Sequence, residues 1–150
     1  MPLIRKLHIF RRELDKDALM ENTIQLAVYV PLGYIPRGLA TDATGVQFES
    51  KRVVLDEELL KHAKAAYFET DLQELSDGAV DIELYDYTAG AVITKHSLSA
   101  TTKRVRSGDI LSSLSAGNEL GARFNVTTAG AAGSTGGGCS PVLIIVLGVS

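Results

Sequence analysis

Hydrophobic and polar residues alternate along most of the chain from residue 23 onward, as they do in half-buried β-strands. The clearest alternation covers residues 80–85, where aliphatic residues alternate with polar ones shortly after the turn dipeptide Asp77-Gly78. Comparable alternation covers 23–30, 46–55 and 120–128. Shorter strands are predicted over 91–94, 101–106 and 110–114. Short strands separated by polar turns, with few helix signals, predict an all-β protein built as an antiparallel β-sandwich.

The last predicted strand, Val142 to Val149, is apolar without interruption, so both of its faces should be covered. Either the sandwich closes over it or a neighbouring subunit does. A glycine-rich stretch, residues 129–141, precedes it. We expect this stretch to be a flexible loop tip, or alternatively a loop that becomes ordered only against a neighbouring subunit. The assembly contact would then consist of Gly136, Gly137 and Gly138.

A phosphate-binding role for the glycine-rich stretch fails on its composition. A Walker A loop needs Lys and then Ser or Thr directly after its second glycine, and a helix must follow. Here Cys139, Ser140 and Pro141 follow, and then a strand. The dinucleotide fingerprint fails as well, because Pro141 stands where its third glycine belongs. We therefore expect no nucleotide cofactor.

Residues 56–75 support two interpretations. Asp56 is a good helix N-cap, and the apolar residues of 59–67 recur at near-helical spacing, which predicts a short helix within 56–66. The alternative is a turn followed by a strand from about His62 to Leu72, with Ala63, Ala65 and Tyr67 facing inward. The surrounding strands favour the second interpretation.

The first 22 residues fit neither period cleanly and are expected to form an N-terminal arm or helix, ahead of a single β-sandwich domain over 23–150. Residues 1–12 contain four basic residues and no acid. The net charge of the whole chain is −3, so the rest of the chain sums to −7. Residues 56–86 are rich in carboxylates, whereas residues 95–106 contain four basic residues and no acid. The surface should carry patches of opposite sign.

The basic N-terminus suggests an arm that docks on a neighbouring copy, with its apolar residues buried and its charges meeting the acidic region 56–86. The predicted assembly residues of the arm are Arg5, Leu7, Phe10, Arg11 and Arg12. The same residues could instead form an ordinary first strand or helix. Nucleic-acid binding is disfavoured, because four charges are few and the body of the chain is acidic.

Nucleophile and metal chemistry find little support in the sequence. Cys139 has no histidine or carboxylate near it in sequence, and a single cysteine forms no intramolecular disulfide. The three histidines, His8, His62 and His96, lack the spacing of zinc ligands. We expect no catalytic residue, no metal and no cofactor.

The alternating strand 80–85 and the residues directly after it carry the two remaining candidate sites. Asp81 and Glu83 point to one side, where a hydrolase could use paired carboxylates, but acids opposite aliphatic residues are expected simply to be its solvated face. Tyr85 and Tyr87 could form a modest sugar-stacking platform, which makes them candidate ligand residues.

The sequence gives limited information on location. The longest apolar run, 142–147, is much shorter than the roughly 20 residues that cross a bilayer, and no secretion signal is visible. We therefore expect synthesis in the cytoplasm, with assembly into a virion or onto a surface as one outcome.

Residues 46–149 resemble jelly-roll-like β-sandwich modules of virion, tail-fibre and surface-appendage proteins. The residues that carry the resemblance are Ile82-Glu83-Leu84-Tyr85-Asp86 before a Thr-Ala-Gly turn, Lys103-Arg104-Val105-Arg106-Ser107, Arg123-Phe124-Asn125-Val126 and the final apolar strand. The resemblance implies a small sandwich that serves as a building block or adhesive unit and carries no catalytic residues. Residues 1–45 lie outside it.

Three functions follow in order of support. The first is a non-enzymatic structural subunit of a virion, phage or filament that forms a homo-oligomer through its arm and sheet edges. The second is a ligand-binding sandwich, with a glycan as the ligand. The third is a hydrolase that uses Asp81 and Glu83.

Overall fold

The computed structural model of the protein describes residues 24–149, and strands predominate in that range. The strands are β1 (Ile24–Pro31), β2 (Leu39–Ala40), β3 (Gly45–Glu49), β4 (Val53–Val54), β5 (Ala63–Leu72), β6 (Glu74–Leu75), β7 (Ala79–Asp86), β8 (Ala91–Leu98), β9 (Thr102–Arg106), β10 (Glu119–Thr128), β11 (Thr135–Gly137) and β12 (Val142–Val149). A short helix, α1 (Glu57–Lys61), precedes β5, and a 3₁₀ turn covers Leu111–Ser113.

The eight longer strands pair as nested antiparallel partners. β1 pairs with β12, β3 with β10, β5 with β9, and β7 with β8. The first of these strands thus meets the last, the second meets the seventh, and so on inward, as in a ribbon folded on itself. The first sheet has the order β1-β12-β5-β9, and the second has the order β3-β10-β7-β8, with β4 also on β10. The prediction of an all-β antiparallel sandwich is confirmed.

The core fills the space between the two sheets because alternate residues of each strand point inward. Phe68 and Leu143 enter it from the first sheet, and Ile82 and Phe124 enter it from the second, all four fully buried. The ring of His96 on β8 stacks on Phe68 with centroids 5.6 Å apart, and its Nε2 lies 3.1 Å from the Phe68 carbonyl oxygen. This contact joins the two sheets where β8 approaches β5.

Both interpretations of residues 56–75 are realised, one after the other. The Asp56 carboxylate caps α1 by accepting a hydrogen bond from the Glu58 N–H at 3.0 Å, and the helix ends at Lys61. The strand β5 begins two residues later, which confirms the predicted strand.

The inward face predicted for β5 is wrong for Ala65 and Tyr67, whereas Ala63 packs against the core as predicted. Phe68 and Leu72 are buried in the core, whereas Ala65 and Tyr67 lie on the outer face. Burying Phe and Leu removes far more apolar surface from water than burying alanines, and that difference selects the face. The short strand expected over 110–114 is wrong as well. Asp109 accepts a hydrogen bond from the Leu111 N–H and starts the 3₁₀ turn there.

The glycine-rich stretch is not a flexible tip, and that prediction is wrong. Its residues 135–137 form β11, the middle strand of a third sheet with the order β2-β11-β6. Gly136, Gly137 and Gly138 are buried in the subunit itself. A Cβ on Gly136 would press against Leu75 and the Glu74 carbonyl, so the missing side chain lets the strands approach. The subunit itself covers these three glycines, so they do not form the exposed assembly contact that the sequence suggested.

The final strand β12 lies between β1 and β5 and is apolar for that reason. Leu143 and Ile145 point into the core. Ile144 points to the outer face, in register between Tyr29 and Tyr67, and is only 2% exposed. We expected both faces of this strand to be covered. At Ile144 the subunit itself covers the outer face.

The packed glycine-rich stretch makes a stability prediction. Gly137 has φ +125°, and a Cβ there would collide with the Pro36 carbonyl oxygen. We expect Gly137→Ala to lower the free energy of unfolding by more than about 3 kcal/mol, since strain and overpacking add. Gly133→Ala is the control, because its φ is +80° with open space around it, and should cost about 1 kcal/mol. Equal urea midpoints for the two variants would contradict the ordered packing.

Candidate functional site

Two shallow grooves lie side by side at the end of the first sheet where β1 ends and β12 begins. The basic groove, of about 440 Å³, is lined by Arg37, Asp71, Leu72, Gln73, Thr101, Thr102, Lys103 and Arg104. The apolar groove, of about 380 Å³, is lined by Pro31, Gly33, Tyr34, Arg104, Ser140, Pro141 and Val142. Arg104 belongs to both grooves and forms the wall between them.

The carboxylates around the basic groove are engaged within the subunit. Glu69 binds Arg104 at 2.5 Å and Arg106 at 2.8 Å, and Asp71 accepts a hydrogen bond from the Ser140 N–H. Burial raises the pKa of Glu69, but its hydrogen bonds to the two arginines and their charge outweigh burial and lower it overall. The Arg104 guanidinium also donates to the Ser140 carbonyl oxygen, which fixes the wall in place.

Two cations of the basic groove keep their charge uncompensated. Arg37 donates to the neutral amide oxygen of Gln73, at 2.7 and 3.3 Å. Lys103 is exposed on β9. Over residues 24–149, neither cation has a carboxylate within 4 Å, so the groove presents net positive charge to solvent.

The apolar groove continues into an exposed aromatic surface. Tyr34 at its rim is 51% exposed, and Tyr29 on β1 is 60% exposed. β1 is an edge strand, and in the described part of the chain it pairs with β12 alone. Aromatic side chains are enriched in protein interfaces, and an open strand edge can pair with another chain. This surface is therefore suited to contact with another protein.

The prediction that Asp81 and Glu83 form a solvated face is wrong. Both residues are buried, at 2% and 3% exposed, although they lie on the outer side of β7. The neighbouring strands carry long polar side chains in register with them. Asp81 accepts hydrogen bonds from Lys95 and Ser97, each at 2.6 Å.

Glu83 has a still closer set of partners. Arg123 on β10 donates to it twice, at 2.5 and 2.9 Å, and the Asn125 amide donates to its other oxygen at 2.9 Å. Paired catalytic carboxylates need environments that separate an acid from a base, whereas here each carboxylate is bound by a cation and a neutral donor. The geometry therefore gives no support to a hydrolase that uses Asp81 and Glu83. It suits a polar network that holds β7, β8 and β10 in register.

Tyr85 and Tyr87 are brought together but do not form an open platform. Their rings meet edge to face with centroids 5.0 Å apart. The Arg123 guanidinium lies 3.6 Å from the Tyr85 centroid, and that of Arg52 lies 4.1 Å from the Tyr87 centroid. Each ring therefore has a face already covered by an arginine. Burial raises the pKa of Tyr87, and its hydroxyl is buried with no hydrogen-bond partner in the described structure. Nothing in this arrangement favours a glycan over another ligand.

The remaining candidates are dispersed. Cys139 is fully buried, and burial raises the pKa of its thiol to about 12, so it is a core residue. His96 packs on Phe68, and His62 lies at the exposed end of α1, 3.7 Å from Glu58. No cluster of three potential metal-ligating side chains occurs within residues 24–149. In the same range, no helix is long and apolar enough to cross a membrane.

The predicted arm residues and His8 lie outside the described residues. Sequence reasoning missed the grooves altogether, since Tyr34 and Arg37 lie between the predicted strands 23–30 and 46–55, where no element was predicted. The signals present were the run of basic residues in 95–106 and the punctuation by Pro31, Gly33 and Pro36.

No protein-family model matches the chain, and no curated protein matches it in sequence. It is similar in structure to the SPBc2 prophage-derived protein YomS, at 14% identity and a TM-score of 0.40 over 82% of this chain and 95% of that one. A Bacillus endospore appendage pilus protein has 14% identity and a TM-score of 0.36, over 86% and 90%. A chain of infectious bursal disease virus, Gx strain, has 13% identity and a TM-score of 0.40, over 83% and 32%. Prophage, pilus and virus proteins are thus among the structures that resemble this chain.

The polar network makes a second stability prediction. Arg123→Met leaves the buried Glu83 with Asn125 as its remaining side-chain partner, and should lower the free energy of unfolding by about 3 kcal/mol. The matched control is Arg52→Met, which also removes an arginine from a tyrosine ring but breaks a half-exposed pair with Glu119, and should cost less than about 1 kcal/mol. Chemical denaturation measures both variants. A loss for Arg123→Met no larger than that of the control would show that the network contributes little.

Proposed function

We propose that this chain is a non-enzymatic structural subunit that self-assembles, as a building block of a virion, phage particle or filament. The observation that carries the proposal is the exposed aromatic surface formed by Tyr29, Tyr34 and the apolar groove, beside the open edge of β1. Self-assembly is the use that accounts for both the apolar surface and the open edge.

The physical argument rests on what such a surface costs in water. Large apolar side chains that are contiguous and exposed gain free energy when a partner covers them. Tyrosine is enriched in protein interfaces, because it buries much area while its hydroxyl stays hydrated. Within residues 24–149 no strand pairs with the outer edge of β1, so its N–H and C=O groups are further sites at which another chain can bind.

The N-terminal arm belongs to the same proposal. Residues 1–22 precede β1, and β1 is the outermost strand of its sheet, so the chain can approach it without passing through the core. We propose that the arm docks on a neighbouring copy through Arg5, Leu7, Phe10, Arg11 and Arg12. What supports this is the combination of apolar and basic residues in the arm with an acidic body.

A double variant of the two exposed tyrosines tests the aromatic surface. Tyr29→Ser with Tyr34→Ser removes aromatic area that is already in water, so the fold should be retained while the oligomer dissociates. Size-exclusion chromatography with light scattering should show the mass falling toward one copy. Val46→Ser on β3, at a residue that is 41% exposed, is the control and should leave the mass unchanged. A wild-type protein that stays monomeric at high concentration would refute self-assembly.

Deletion of residues 1–20 tests the arm separately. We expect the truncated chain to keep the wild-type circular dichroism spectrum and to lose mass by light scattering, because a contact with the neighbouring copy is gone. An unchanged oligomeric mass would show that the arm is not an assembly element.

A further inference from the structure

The two ends of the first sheet carry charge of opposite sign, and β5 connects them. α1 directly precedes the first residues of β5, and Leu72, its last residue, lines the basic groove. At about 3.3 Å per residue, the ten residues of β5 separate the two ends by about 30 Å. The subunit therefore carries opposite charge at the two ends of its strand direction.

The acidic end, defined as Val54, Asp56, Glu57 and Glu58, is exposed to solvent. Val54 is 59% exposed. Lys61 lies 3.7 Å from Glu58, but Glu57 has no cation within 4 Å among the described residues. This end thus combines a protruding apolar side chain with uncompensated negative charge.

The opposite end offers the complementary chemistry. The basic groove presents the uncompensated cations Arg37 and Lys103, and the apolar groove lies against it across Arg104. The carboxylates closest to these cations, Glu69 and Asp71, are held by arginines and by a backbone N–H. They leave the positive charge free to attract an external anion.

We propose that copies of this chain join head to tail, with the acidic end of one copy seated on the basic and apolar grooves of the next. This proposal rests on the proposed function, self-assembly, and names its contact. The glutamates of the acidic end meet Arg37 and Lys103, and Val54 meets the apolar groove beside Tyr34.

The contact is heterologous, since it joins two different surfaces of the same chain. Because these surfaces lie at opposite ends of one axis, each added copy leaves the same free ends, and the assembly grows as an open row. Exposed ion pairs add little affinity, so burial of Val54 and Tyr34 supplies the attraction while the charges fix the orientation.

Two end variants test the polarity of the contact. The basic-end variant is Arg37→Glu with Lys103→Glu, and the acidic-end variant is Glu57→Lys with Glu58→Lys. All four side chains are exposed, so both variants should fold as the wild type does, which thermal unfolding checks. Each variant alone has one reversed end and should sediment as single copies. Glu49→Lys, an exposed acid on β3 away from both ends, should assemble as the wild type does.

The decisive measurement is an equimolar mixture of the two end variants. The intact acidic end of one variant can bind the intact basic end of the other, and the two reversed ends are also opposite in charge and can bind each other. The mixture should therefore recover long assemblies in which the two variants alternate. Combining all four reversals in one chain should restore long assemblies, because both ends are then reversed together.

The outcomes separate this proposal from the proposed function. If the wild type assembles, but the end variants assemble equally well alone or their mixture remains monomeric, head-to-tail joining is wrong and self-assembly through other surfaces stands. If the wild type itself is monomeric at high concentration, both proposals fail.

Discussion

The structure depends on β12 lying between β1 and β5. This strand pairs with β1 over eight residues and with β5 on its other side, and its side chains fill the core on one face and are covered on the other. Among the described strands β1 comes first and β12 last, so the first sheet joins the two ends of the described chain. The sequence separation of these pairs is large, and closing them carries a large loop-closure entropy. Burial of an uninterrupted run of aliphatic side chains offsets that entropy.

The same pairing shapes the end of the sandwich. The third sheet forms because the chain must cross from β10 to β12, and β11 makes that crossing as a strand between β2 and β6. Its glycines permit the close approach that buries the segment. The two grooves lie next to this crossing, so their walls are set by the Ser140-Pro141 entry into β12 and by Arg104, which holds the Ser140 carbonyl. A rigid groove is a better docking surface than a mobile loop, because little entropy is lost when a partner binds.

The outer faces of the two sheets have different chemistry. The second sheet presents a hydrogen-bonded network around Asp81 and Glu83, which is internally satisfied and offers little to a partner. The first sheet presents tyrosines, an apolar groove and cations without carboxylate partners. Charges that are satisfied within the subunit stabilise the pairing of strands, whereas those left uncompensated are available for recognition. In the proposed assembly, the network of the second sheet contributes stability, and the contacts are made by the first sheet together with Val54 on β4.

The sequence by itself determined the longer strands, their antiparallel sandwich and the buried final strand. These follow from local alternation and from the apolar run of Val142 to Val149, and alternation requires no knowledge of partners. Tertiary structure alone decided which face of β5 is inward, because that face is the one on which Phe68 packs into the core. It also decided that Asp81 and Glu83 are buried, because Lys95 and Arg123 reach them from strands 14 and 40 residues away. The grooves likewise join residues from four separate segments of the chain, 31–37, 71–73, 101–104 and 140–142. Strand register brings such residues together, and no local pattern in the sequence encodes it.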